Sequence, residues 1–175
     1  MPTLVIARHA HAEPWSPHGQ DHDRALDAHG RAQARWLGEA VAEQVPHIDV
    51  ALVSDATRTR QTWSVLAASL EVEEVQVLPK LYGADVAAMT QAIAAVESSA
   101  ETVMVVAHEP TVSATAHTLA GPGSDPELHE GLARGMATAS AAILQSPVGF
   151  EWSAVESGAL VLNAYLDGRE ATMQS

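Results

Sequence analysis

Three short aliphatic runs, Leu4–Ala7, 48–53 and Thr102–Ala107, each lead into charged or titratable residues. Runs of this length, rich in Val, Ile and Leu and bounded by polar segments, read as buried strands of a parallel sheet. The first ends on Arg8-His9, the second is followed by Ser54-Asp55 and then Arg58, and the third ends on His108-Glu109. Strands joined by right-handed helical crossovers share one carboxyl edge, where open α/β sheets hold their ligands.

The intervening segments support that reading. Asp27 stands as an N-cap before an Ala-rich stretch in which Trp36, Leu37 and Val41 form an apolar stripe, predicting a helix over 28–41. Ser54-Asp55 offers cap chemistry for a second helix carrying Trp63, Leu66, Ala67 and Leu70 at three- and four-residue spacing. A strand over 75–78, a helix over 85–96 and a helix over 111–120 with Thr111 as candidate cap follow. Gly121-Pro122-Gly123-Ser124-Asp125-Pro126 reads as a loop, and strands are expected over 138–144 and 160–166 with a turn near 147–151. The fold class expected is α/β, a three-layer α/β/α sandwich with a mostly parallel central sheet.

Composition narrows what such a fold does here. The 175 residues are 47% hydrophobic, with Gly and Pro spread evenly, so one domain over 1–175 is expected. No apolar run approaches the roughly 20 residues of a membrane span, and no export signal precedes the first strand, so a cytoplasmic location is expected. With no cysteine, thiolate catalysis and Cys-ligated zinc are excluded. Nine basic against 22 acidic residues give a net charge of −13, which argues against nucleic-acid or anionic-membrane partners. Six of the nine basic residues (Arg8, Arg24, Arg31, Arg35, Arg58 and Arg60) fall in the first 60 positions, the pattern of a cationic pocket in an acidic body.

The strand exits specify a chemistry. Arginine supplies a permanent bidentate fork for phosphate, and a neutral imidazole beside it can attack phosphorus. Arg58 falls in the first turn of its helix, where a cation opposes the helix dipole but an anion is welcome, so it makes sense beneath a phosphate. His108 brings a second imidazole to the same edge. A phosphomonoester would also need a proton donor for its alkoxide. Asp85 and Glu13 are the candidates, and Asp85 serves equally well as the N-cap of the helix that follows it. Trp15, in the polar loop after the first strand, is a candidate pocket wall. Two other readings stay open on residues alone: a metal-dependent hydrolase built on His9, His11 and the Asp21/Asp23 loop, and a phosphate-binding module without turnover.

Five segments together resemble the histidine phosphatase superfamily, the phosphoglycerate-mutase-like fold, and in particular its short SixA-like phosphohistidine phosphatase branch. They are Arg8-His9-Ala10; Asp21-His22-Asp23-Arg24-Ala25-Leu26; Leu52-Val53-Ser54 with Arg58 and Gln61-Thr62; Leu78-Pro79 with Leu81-Tyr82; and Val105 through Pro110. The resemblance implies that His9 is the nucleophile that becomes phosphorylated, that Arg8 and Arg58 hold the phosphoryl oxygens, that His108 supports the transferring group and that Arg24 faces the pocket mouth. It implies a metal-independent phosphatase with no cofactor, acting on a phosphorylated protein (phosphohistidine) or a small phosphorylated metabolite. Glu109, His11 and Ala25 depart from the family pattern, and Glu109 adds a negative charge beside the anion site, which bears on substrate preference.

Overall fold

The structure, a computed structural model, describes residues 1–172. Six strands form one sheet in the order β3-β2-β4-β1-β5-β6, with β1 Thr3–Arg8, β2 His47–Ser54, β3 Glu71–Leu78, β4 Thr102–Ala107, β5 Ala141–Gln145 and β6 Val161–Leu166. The pairs β1/β4, β2/β4 and β2/β3 are parallel, and β5 runs antiparallel to both its neighbours. The sheet is therefore mostly parallel, as expected.

Side chains alternate between the two faces of each strand and build two separate cores. Leu4, Ile6, Leu52, Val103, Val105 and Ala107 pack on one side with α3 (Val86–Ala94), α4 (Thr111–Leu119) and α5 (Pro126–Ala133). Val5, Ala7, Ala51, Val53, Met104 and Val106 pack on the other with α1 (Ala28–Ala42) and α2 (Thr57–Leu66). This is the three-layer α/β/α sandwich. The edge strand β3 keeps Val75 and Val77 exposed but carries Glu71, Glu73 and Glu74, charges that discourage pairing with another chain.

Asp27 caps α1 as expected, its carboxylate accepting from Gly30 N at 2.7 Å. A Cβ at Gly30 would lie 1.9 Å from the His11 carbonyl oxygen, so this glycine lets the loop after β1 press against the helix. Several local expectations shift. The N-cap of α2 is Ala56, without a side-chain bond, because Ser54 is turned toward His108. That helix stops at Leu66 and continues as a 3-10 turn, Ala67–Ser69, leaving Leu70 outside it. Thr111 does not cap α4; its hydroxyl donates to the Ala84 carbonyl at 2.6 Å. The strand expected over 75–78 extends back to Glu71, and the one expected from 138 starts at Ala141. The segment expected as loop leads directly into α5, which Asp125 caps by accepting from Glu127 N and Leu128 N with Pro126 at the first position. No helix among the described residues is long and apolar enough to cross a membrane.

Candidate active site

Strand register assembles the site. Arg8 is paired with Ala107 between β1 and β4, so the next residues, His9 and His108, leave the sheet side by side; His9 N donates to the Ala107 carbonyl at 3.1 Å. Val53 is level with Val106, which sets Ser54 at the same edge. The His9 and His108 rings lie 5.3 Å apart, and Ser54 Oγ is 2.8 Å from His108 Nε2. Arg58, one residue into α2, reaches back between them and donates from Nε to His9 Nε2 at 3.3 Å. Thr62, one turn further on, accepts from Ala10 N at 2.9 Å and donates to the Arg58 carbonyl at 2.7 Å, fastening the loop after His9 to the helix that carries Arg58.

The hydrogen bonds around His9 define its tautomer. Its Nδ1 lies 2.7 Å from the Ala10 carbonyl, which can only accept, so Nδ1 carries the proton. A guanidinium can only donate, so Nε2 holds the free lone pair toward the cleft. Burial, followed by the neighbouring cationic groups, pushes His9 down to about 3, and the same two causes hold His108 near 4. Both imidazoles are therefore neutral at physiological pH, and the buried Nδ1 of His108 has no partner among the described residues.

The arginines are anchored from outside the strand edge. Arg8 donates from a terminal nitrogen to the Met136 carbonyl at 2.7 Å, while its buried Nε has no partner among the described residues. Arg58, 5% exposed, gives its other donors to Asp21: NH1 to the carbonyl at 2.8 Å and NH2 to Oδ2 at 3.1 Å. Arg24 donates to Asp21 Oδ1 at 2.9 Å and to the Glu13 carbonyl at 3.0 Å. Tyr82 completes the group by donating its hydroxyl to Asp21 Oδ2 at 2.7 Å. That bond, with the two guanidiniums, lowers Asp21 to about 2, so it is a fixed carboxylate. Sequence reasoning read Asp21 only as part of a metal loop and Ser54 as a helix cap, and gave Tyr82 no role in the site. The signal was within reach, since all three stand inside the motifs that carry the family resemblance.

Arg8, His9, Arg24, Arg58, His108 and Glu109 together line a cleft of about 330 Å³. Glu109 is held in its wall, accepting from the Met136 amide and from the Ser113 hydroxyl. The other sequence candidates lie elsewhere. Asp85 is the N-cap of α3, accepting from Ala88 N at 2.8 Å, and it does not line the cleft. Trp15 is 64% exposed, and neither it nor Glu13 reaches the cleft wall. The donor set of the metal reading does not assemble. His11 Nδ1 turns to Asp27 at 2.5 Å, and Asp21 is committed to two arginines. Among the described residues, His47, Asp49 and Glu73 on the outer end of β2 and β3 form the one group with metal-ligand spacing.

Comparison with known proteins agrees with this geometry. The sequence model of the histidine phosphatase superfamily (branch 1) matches residues 4–91. An uncharacterized protein, Rv1276c of Mycobacterium tuberculosis, is 35% identical over 154 residues, covering 87% of this chain and 94% of the relative. A candidate phosphohistidine phosphatase SixA from Nakamurella multipartitia superposes with a TM-score of 0.80 at 32% identity, covering 94% of each chain. A second such SixA structure, from Agrobacterium tumefaciens, gives a TM-score of 0.76 at 27% identity, covering 94% of this chain and 97% of the other. The chain belongs to the histidine phosphatase superfamily, in its SixA-like branch, and is a phosphatase.

Proposed function

We propose that the protein hydrolyses phosphohistidine on a protein, or a small phosphoester, without a metal ion and through a phosphohistidine intermediate on His9. The observation that carries this reading is the Arg58 Nε to His9 Nε2 contact, which holds a neutral, correctly tautomerised imidazole with its lone pair at the anion site. An entering phosphoryl group takes over the Arg58 Nε–H, which frees the His9 lone pair for in-line attack. An N–P bond forms as the bond to the leaving group breaks, and water then cleaves the phosphoramidate, so one difficult displacement becomes two easier ones. Arg8, Arg58 and Arg24 at the mouth neutralise the phosphoryl oxygens in a partly dry cleft, where such pairing is worth far more than in bulk water.

His108 has a further part. Burial keeps it neutral in the free enzyme, and the field of a bound dianion favours its protonated form, which then donates to a phosphoryl oxygen or the leaving group. Among the described residues Glu109 is the sole carboxyl group lining the cleft, and its oxygens are engaged by the Met136 amide and Ser113. A site without a free carboxylic acid suits a leaving group less basic than an alkoxide, and an imidazole leaving from phosphohistidine meets that condition. The test is a substrate panel. The expectation is that kcat/KM for a phosphohistidine protein exceeds that for small alkyl phosphates by at least about tenfold, with turnover lost in His9→Ala. Equal or better use of alkyl phosphates would instead show that protonated His108 serves an alkoxide as well as an imidazole.

A further inference from the structure

A second cleft, of about 810 Å³, opens beside the first, and both are lined by Arg8 and Glu109. Its remaining wall comes from α5, the segment after it and the end of β6, namely Leu128, Gly131, Arg134, Met136 and Tyr165 with the Asp167–Arg169 turn. These elements all lie beyond residues 4–91, the part that matches the superfamily model. The second cleft thus draws most of its wall from the last third of this chain.

The charges in that half are unevenly committed. Arg169 grips Asp167 through two nitrogens at 2.5 and 2.9 Å. Arg134 at the end of α5 is exposed and has no ion pair among the described residues, although Glu130 stands four residues before it at the favoured helical spacing. Arg31, Arg35, Arg60 and Lys80 are likewise exposed without an ion pair among the described residues, and what sets Arg134 apart is its place on the rim of a cleft that leads to the anion site. Glu127, one helical face-repeat earlier and roughly 10 Å along the axis, lines the same cleft and also has no ion pair among the described residues. That separation is about three residues of extended chain. The cleft's volume, its open shape and its spaced opposite charges fit a length of polypeptide and not the small remainder of a simple phosphoester.

We infer that this second cleft holds the polypeptide flank of a phosphorylated protein substrate, with Arg134 selecting an acidic residue in that flank and Glu127 opposing one nearer its own end. The inference rests on the reading of His9, Arg8 and Arg58 as the phosphoryl site. Its test uses two readouts. The first is the dissociation constant of labelled, non-hydrolysable phosphonate peptides with glutamate or glycine flanks, and the second is kcat/KM for a small aryl phosphate. In Arg134→Glu the glutamate-flanked peptide should bind roughly tenfold more weakly, with the glycine-flanked peptide and the aryl phosphate affected far less. Glu127→Lys should shift the glutamate-flanked peptide in the opposite direction. Equal losses on all probes, or no loss on the glutamate-flanked peptide, would overturn the inference. Charge-dependent peptide binding in a protein that turns over no phosphate would overturn the catalytic reading and leave this one standing.

Discussion

Arg58 donates from Nε to Nε2 of His9 while the same guanidinium holds Asp21 with both terminal nitrogens, so a single buried side chain links the imidazole lone pair to the rim of the cleft. A lysine cannot make that set of contacts, since it presents a point charge in place of a planar fork. Arg58→Lys is expected to lower kcat/KM for an aryl phosphate by about 10²- to 10³-fold. Circular dichroism should show the fold retained, which separates a lost contact from a lost structure.

Asp21 takes two of the donors that Arg58 would offer a substrate under the proposed function. Asp21→Asn keeps the backbone carbonyl that accepts from Arg58 NH1 and one side-chain oxygen for Tyr82, and removes the negative charge together with the second oxygen, which accepts from Arg24. The variant should bind vanadate several-fold more tightly, read as the inhibition constant against aryl phosphate hydrolysis. Weaker binding would show that the carboxylate's main service is to place Arg58.

Stability should fall on mild acidification. His9 and His108 titrate at about 3 and 4 in the folded protein against 6.5 in an unfolded chain. Between pH 6.5 and 4 the unfolded state therefore binds protons that the folded state refuses, and unfolding is favoured as pH drops. In urea titrations across this window, His9→Asn should lose stability less steeply than wild type, by close to one proton. Parallel slopes would mean that His9 is not held neutral.

Packing supports the site from behind. At Gly30 a Cβ would meet the His11 carbonyl oxygen at 1.9 Å. Gly30→Ala should cost about 1–3 kcal/mol in chemical denaturation and also lower activity, because the backbone that must yield is the loop after His9. A neutral effect on both would contradict the close approach of loop and helix.

Chelation tests the metal-independent reading. Dialysis against EDTA should leave kcat and KM for aryl phosphate unchanged, and added Zn²⁺ or Mn²⁺ should not raise them. Loss on chelation with recovery on adding metal would return His9 and His11 to the role of ligands.

The sequence made the strand edge legible because Arg8, His9, Arg58 and His108 each sit within a few residues of an apolar run, and local patterning predicts where such a run ends. Asp21 and Tyr82 were harder to assign, since their meeting joins positions 61 residues apart. Ser54 read as a helix cap because nothing local shows that His108 lies across the sheet. Asp85 stood equally for acid or cap, and its bond to Ala88 N gives the cap. The helix α5 was hidden by the Gly-Pro-rich segment before it, whose Asp125 and Pro126 start a helix as readily as they make a turn.

The account is tested most directly by trapping the enzyme during turnover. After rapid quench under alkaline conditions, peptide mass spectrometry should find one phosphoryl group on His9, stable to alkali and lost in acid, and none in His9→Ala. Turnover at full rate with no phosphoryl group on His9, or with the group on another residue, would contradict it.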